Sequence, residues 1–451
     1  MQKVVARSGW AWRLVIYKLL LDACYLWFVG TPQFWWGVPF SVDLTSMGYF
    51  SAWIATVAVI LLFRTTLQKP LEEYRFSEFV LLVLLLLSVI PGMTMCGMGA
   101  FPWEYRWAFY LYWLIFFLLG RGLSVVKLRD VVKEGRLSLR AARGLLFSVG
   151  IVFAVSIVFI FIYYGEGNFF SSGLQSQDVY IQREQFSNIA IMFPLNYVMA
   201  NAVVVFMLLL LFFLGGRRYG WAGVVLFIWY MEFSCSANKI EFFSMLAGIL
   251  VYTARRYLTT NRILSISIWT VLAGMSLLHF HGNASMLAFL KRTLFETNFL
   301  SYCYYDFFQR HAPMMCRFWG IPVLDRGMIP FMIGAQYLGN PTTHANNGLI
   351  GDASLMGGVV GVILGPVLWF VFLCVLNKAG NQLEWWMKLG ISVCWGGVMQ
   401  NSSFITNLLS HGGVALIVMA YLCSAEKKVQ HVFWAEKKCD SSLFNNRERL
   451  Q

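Results

Sequence analysis

The stretch Thr343-His344-Ala345-Asn346-Asn347-Gly348-Leu349-Ile350-Gly351-Asp352 carries an imidazole, two amides and a carboxylate. His344 or Asp352 is suited to take a proton from a hydroxyl, and Asn346 and Asn347 offer the paired donors and acceptors that hold sugar hydroxyls. Glycines at 357, 358 and 361 follow, and they allow a backbone or a neighbouring helix to come close. The same residues also read as a plain loop running into a helix, with Asp352 as the cap and the glycines as packing positions. A third candidate base, Asp306, stands in the aromatic run Phe299 to Phe308, where it would act on substrate or anchor the loop. Asp352, His344 and Asp306 are thus the three candidate bases.

Cations form the second set. Lys239 ends the small polar break Ser234-Cys235-Ser236-Ala237-Asn238-Lys239 between two short apolar runs, and a cation at membrane depth is costly and usually functional. Lys291, Arg292, Arg310, Arg317 and Arg326 follow in a later hydrophilic region. Each alone reads as a side chain reaching for lipid phosphate, whereas together they make an anion site. One such charge roughly 5 Å from a pyrophosphate oxygen contributes about 3 kcal/mol at an effective dielectric near 20, before desolvation. Two or three would hold a lipid pyrophosphate and stabilise it as a leaving group. A divalent metal would need clustered carboxylates, and the loops on that side lack them, so the expected chemistry uses no metal and no other cofactor. No Cys and His spacing reads as zinc, and no Gly-rich loop with Lys and Ser or Thr reads as a nucleotide site.

The elements that must position these groups are membrane helices. The chain has 451 residues, 59% hydrophobic and 13% charged, against about 25% charged in soluble domains. Apolar runs of spanning length recur near 11 to 30, 46 to 63, 77 to 97, 105 to 120, 144 to 164 and 194 to 214, then 219 to 233, 239 to 253, 263 to 280, 353 to 376, 387 to 404 and 409 to 423. The expected fold is therefore all-α, a single membrane domain over 1–451 with about 12 spans. The net charge of +13 belongs to loops on one side rather than to nucleic-acid binding: Arg64, Lys69 and Arg75, the run from Arg121 to Arg143, Arg217 and Arg218, Arg255, Arg256 and Arg262, and a Lys-rich tail. Those loops face the cytoplasm on the positive-inside rule, as do both chain ends. Two hydrophilic segments, 165 to 193 and the large 281 to 352, face outward. The second is expected to form short helices lying on the outer membrane face, its aromatic run in the headgroup zone.

Taken in order, five pieces resemble the O-antigen polymerase (Wzy) family of oligosaccharide repeat unit polymerases. They are Ser-x-Ser-x-x-Lys at 234 to 239, Lys-Arg-Thr-Leu-Phe at 291 to 295, Tyr-Tyr-Asp-Phe-Phe at 304 to 308, Ala-Asn-Asn-Gly-Leu-Ile-Gly-Asp at 345 to 352, and Asn401-Ser402-Ser403-Phe404 with Leu-Leu-Ser-His-Gly at 408 to 412. The likeness covers roughly 230 to 415; the first half matches only in hydropathy. It implies a bacterial inner-membrane glycosyltransferase of the GT-C type. The glycan would pass from undecaprenyl pyrophosphate to a second lipid-linked repeat unit, beside a chain-length regulator and a repeat-unit flippase. By that likeness Lys239 and Arg292 bind pyrophosphate, with Asp306, Asn346, Asn347 and Asp352 in or near the catalytic cavity. The related ligases carry His immediately before Asn, whereas here Ala345 separates His344 from Asn346. A ligase and a lipid-linked sugar flippase are the competing readings, and the single dominant outer segment and the lack of an internal repeat favour an enzyme over a transporter.

Overall fold

The computed structural model describes residues 2–30, 40–125, 139–165, 186, 189, 191–237, 239–281 and 284–425. Among these residues all regular structure is helical: α1 (Gln2–Cys24), α2 (Ser46–Leu67), α3 (Phe76–Met98), α4 (Trp103–Val125), α5 (Leu139–Tyr163), α6 (Leu195–Gly215), α7 (Tyr219–Ser236), α8 (Lys239–Ala254) and α9 (Thr260–His281), then α10 (284–310), α11 (Ile329–Leu338), α12 (Ile350–Ala379), α13 (Trp385–Asn401) and α14 (Phe404–Ala425). Seven of the described helices are long and apolar enough to cross a membrane: α2, α3, α5, α6, α9, α12 and α14. A helix meets its own backbone polar groups internally, which is what an apolar surround demands. Most of the expected segment 165 to 193, most of the run from Arg121 to Arg143, and the Lys-rich tail lie outside the described residues.

The chain divides into two compact units. The first comprises Met1–Lys127, Arg256–Cys374 and Trp395–Asn407. Its centre is α3, 94% buried along its most apolar window. Leu85–Val89 of α3 is π-helical, and Pro91 follows at once; proline lacks the N–H that an α-helix would return to residue 87, so the wider turn absorbs the loss. The N-terminus of α3 is held by Glu78, which accepts Arg75 N at 2.7 Å and pairs with Lys69 at 2.7 Å.

α1 packs on this centre through polar contacts inside an apolar surround. Lys18 pairs with Asp22, and Asp22 also accepts Thr94 Oγ1 at 2.8 Å and the Tyr49 hydroxyl at 3.1 Å. The Lys18 ammonium lies 5.0 Å from the Trp53 ring centre. Tyr17 donates to Leu86 O at 2.8 Å, and Arg13 Nε to Ser265 Oγ at 2.9 Å. One polar network thus ties α1 to α2, α3 and α9.

α10 departs from expectation. Ala284–Leu290, the π-helical Lys291–Glu296 and Thr297–Arg310 follow without a break in helical backbone. Ten residues from Thr297 to Phe308 are buried. Asn298 donates to Ser88 O at 3.1 Å, within α3 rather than at its tip, and Phe299, Tyr302 and Tyr305 pack on Phe40, Phe101 and Tyr105. The aromatic run is core, not a surface layer of short helices, because most of its rings find aromatic partners and Tyr304 a buried carbonyl. Phe318 and Trp319, 90% and 67% accessible, are exposed in the 3-10 turn Met314–Trp319.

The second unit holds Leu128–Arg255, Val375–Cys394 and Leu408–Gln451. α5, α6 and α7 enclose an apolar cavity of about 90 Å³ lined by Phe147, Gly150, Phe206, Phe213 and Trp221 among others. α7 ends at Ala237 in a left-handed conformation, φ +48°.

Candidate functional site

Within the first unit, α10 presents Tyr304, Asp306 and Arg310 near its C-terminal end. Arg310 Nη2 donates to Asp306 Oδ2 at 3.0 Å, the spacing that residues four apart on a helix produce. The hydroxyl of Tyr337 on α11 donates to the same oxygen at 2.6 Å. Burial, and then the carboxylate it serves, push the Tyr337 phenol upward, so it remains a donor. Asp306 is therefore the anchor that joins α10 to α11, and Oδ1 makes no hydrogen bond among the described residues.

The stretch 343–352 is held at three points. Tyr304 donates its hydroxyl to Ala345 O at 2.8 Å, and Ala345 N donates to Pro330 O at 3.2 Å. Gly348 lies against the Gln400 carbonyl so closely that a Cβ would stand 2.2 Å from its oxygen, which no other residue tolerates. Asp352, 5% accessible, accepts Phe404 N at 2.7 Å through Oδ2 and Asn347 Nδ2 at 3.4 Å through Oδ1. It staples α12 to the first turn of α14, where a carboxylate meets the positive end of the helix dipole.

Pinning the buried Ala345 leaves its neighbours His344 and Asn346 exposed. The His344 ring stands edge-on to Phe331 at 5.3 Å and makes no hydrogen bond among the described residues. Phe331 and Tyr337 lie six residues apart on α11, about 9 Å along its axis and roughly 120° apart around it, so His344 and Asp306 meet different sides of that helix. Arg326 donates to Ser403 Oγ at 2.9 Å, and Ser403 in turn accepts Thr406 N at 3.2 Å as the cap of α14. α12 breaks at Gly358, φ +57°, and turns back so that a Cβ on Gly361 would meet Ala353 O at 1.8 Å. The break sets Asp352 facing Phe404 while the remainder of α12 runs on as a separate helix.

The cations do not form the single set expected of them. Arg326 stands beside the 345–352 stretch through Ser403, next to the Phe404 that Asp352 holds, whereas Arg310 pairs with Asp306 on its own helix. Arg292 is eighteen residues before Arg310 on one helix, about 27 Å away, and its exposed side chain pairs loosely with Glu296 at 3.6 Å. Neighbouring Lys291 is buried with its ammonium 5.6 Å from the Phe40 ring centre; burial pushes the amine down to about 8, against the pull of Glu296. Lys239 belongs to the second unit, and its side chain lies outside the described residues. Arg317 is exposed in the 3-10 turn. Tyr337 escaped the sequence reading, since a lone tyrosine in an apolar segment carries no signal of its own. The Lys18 and Asp22 pair was legible in principle as two opposite charges four residues apart inside an apolar run.

No family model matches the chain, and neither the curated proteins nor the solved structures include a match.

Proposed function

We infer that the chain is a membrane glycosyltransferase that lengthens a surface polysaccharide, moving a growing glycan from undecaprenyl pyrophosphate onto a lipid-linked repeat unit on the periplasmic face of the bacterial inner membrane. One observation carries the reading: the pieces 304–308, 345–352 and 401–404, far apart in sequence, meet in one place with Arg310 and Arg326 beside them. Helices also occupy the twelve positions at which spans were expected, seven of them long and apolar enough to cross a membrane, which supports a polytopic membrane arrangement, taken here as twelve spans of the GT-C type with both chain ends inside.

In this reading Arg326 and Arg310 face the departing pyrophosphate. Asn346 orients the acceptor sugar. With both oxygens of Asp352 committed to the fold, the proton from the attacking hydroxyl passes to the exposed His344 or to Asp306 Oδ1 on a half-buried carboxylate. The test is the lipid-linked glycan that accumulates when the gene is deleted. Single repeat units support the polymerase; long unattached chains indicate a ligase; unchanged glycans refute the reading.

A further inference from the structure

We propose that the N-terminus of α2 and Arg106 form a binding site for a phosphate group, distinct from the site around 345–352. The first turn of α2 is capped by Thr45, whose Oγ1 accepts Gly48 N at 3.2 Å. That leaves the N–H groups of Ser46 and Met47 without a partner inside the helix, at the positive end of its dipole. Residues 41–47 are exposed, so this end is open.

The second observation is Arg106, 3% accessible on α4. Its guanidinium lies against the α2 turn: a Cβ on Gly48 would be 2.1 Å from Nη1. Nη2 donates to Gly99 O at 3.0 Å, and the group stands 4.9 Å from the Trp103 ring centre. Nε is buried with no hydrogen-bond partner, and Arg106 makes no ion pair among the described residues. A cation pressed on the positive end of a helix repels it, and a buried guanidinium N–H without an acceptor is costly. A tetrahedral oxyanion at the open end of α2, beside the guanidinium, offsets that like-charge contact, because it accepts from the backbone N–H groups of the first turn and pairs with the Arg106 cation at once. Neither Asp43, three residues before α2, nor Glu104, two residues before Arg106, forms an ion pair with it.

The chemistry fits a phosphate carried by a lipid headgroup or a free phosphate, and it does not rest on the polymerase reading. The purified full chain in detergent is melted with inorganic pyrophosphate, with short-chain phosphatidylglycerol, or with phosphatidylcholine of the same chain length, and the midpoint shift is titrated. At least one of the first two probes is expected to bind at least tenfold more tightly to the wild type than to Arg106→Gln. Gly48→Ala, which displaces the guanidinium, is expected to weaken it likewise, and Arg106→Lys to lie between. A response to pyrophosphate alone assigns the site to free phosphate, and a response to phosphatidylglycerol alone to a lipid headgroup. Equal affinity in wild type, Arg106→Gln and Gly48→Ala overturns the proposal, as does the absence of binding of either probe to wild type. Unchanged elution and helical circular dichroism of Arg106→Lys separate loss of binding from loss of fold.

Discussion

Replacing Asp352 with alanine separates a structural carboxylate from a chemical one. The side chain is 5% accessible and accepts Phe404 N at 2.7 Å. A hydrogen bond to a charged acceptor contributes about 1.5–3 kcal/mol, and the N–H left behind adds a desolvation cost of about 1–3 kcal/mol. The Asn347 contact at 3.4 Å is at the long limit and adds little. Asp352→Ala is therefore expected to cost about 3 kcal/mol, seen as a midpoint lowered by roughly 5 °C in a thermal melt of the purified protein. Asp352→Asn retains an acceptor for Phe404 N and loses mainly the charge at the helix start, about 1 kcal/mol. It should keep measurable glycan transfer. A wild-type melting curve for Asp352→Ala refutes the staple, and an Asn variant that melts normally yet has no turnover returns Asp352 to the chemistry.

Three further outcomes follow from the same geometry. Arg326→Ala should lower transfer at least tenfold, while Arg292→Ala, a helix length away from Arg310, should leave it within about twofold; equal losses, measured as polymer formed per enzyme, would contradict the division of the cations. The Lys291 amine sits at about 8 in the fold and near 10.4 in an unfolded chain, so between these values the unfolded state holds more protons and stability rises with pH. Melting midpoints should climb from pH 8 to pH 10 in wild type, and Lys291→Met should remove that part of the climb. Breaking the buried Lys18 and Asp22 pair by Asp22→Ala should cost about 3–5 kcal/mol, and the double change Lys18→Met with Asp22→Leu should cost less than either single change; additive losses in denaturant titrations would argue against the pair.

Helix positions were legible because spanning helices are long apolar runs and little else in the chain competes with them. The break in α12 was not foreseen, since the apolar run reads as one span through 353 to 376; Gly357, Gly358 and Gly361 read as positions for close approach alone, whereas Gly358 takes a positive φ. The fate of 281–310 was misread through its aromatics: rings seek an interface or a core, and which one depends on partners such as Phe101 and Tyr105 nearly two hundred residues away. A better signal was present, since Gly282 and Pro313 bracket a stretch with neither glycine nor proline, the mark of one continuous helix. Had that helix been drawn, the distance between Arg292 and Arg310 would have followed from its rise alone. The convergence of 304–308, 345–352 and 401–404 could not be read from spacing, because it is made by single long-range bonds such as Tyr304 to Ala345 and Asp352 to Phe404.

The central claim is tested most directly by reconstitution. The full chain in liposomes receives a synthetic repeat unit on undecaprenyl pyrophosphate, and the products are sized and counted. The expected products are glycans of two or more repeat units still on lipid, with one undecaprenyl pyrophosphate released per bond formed, and both are lost when Arg326 and His344 are replaced together by Ala and Gln. Repeat units that stay single in the presence of well-folded wild-type protein, with no undecaprenyl pyrophosphate released, would contradict the claim.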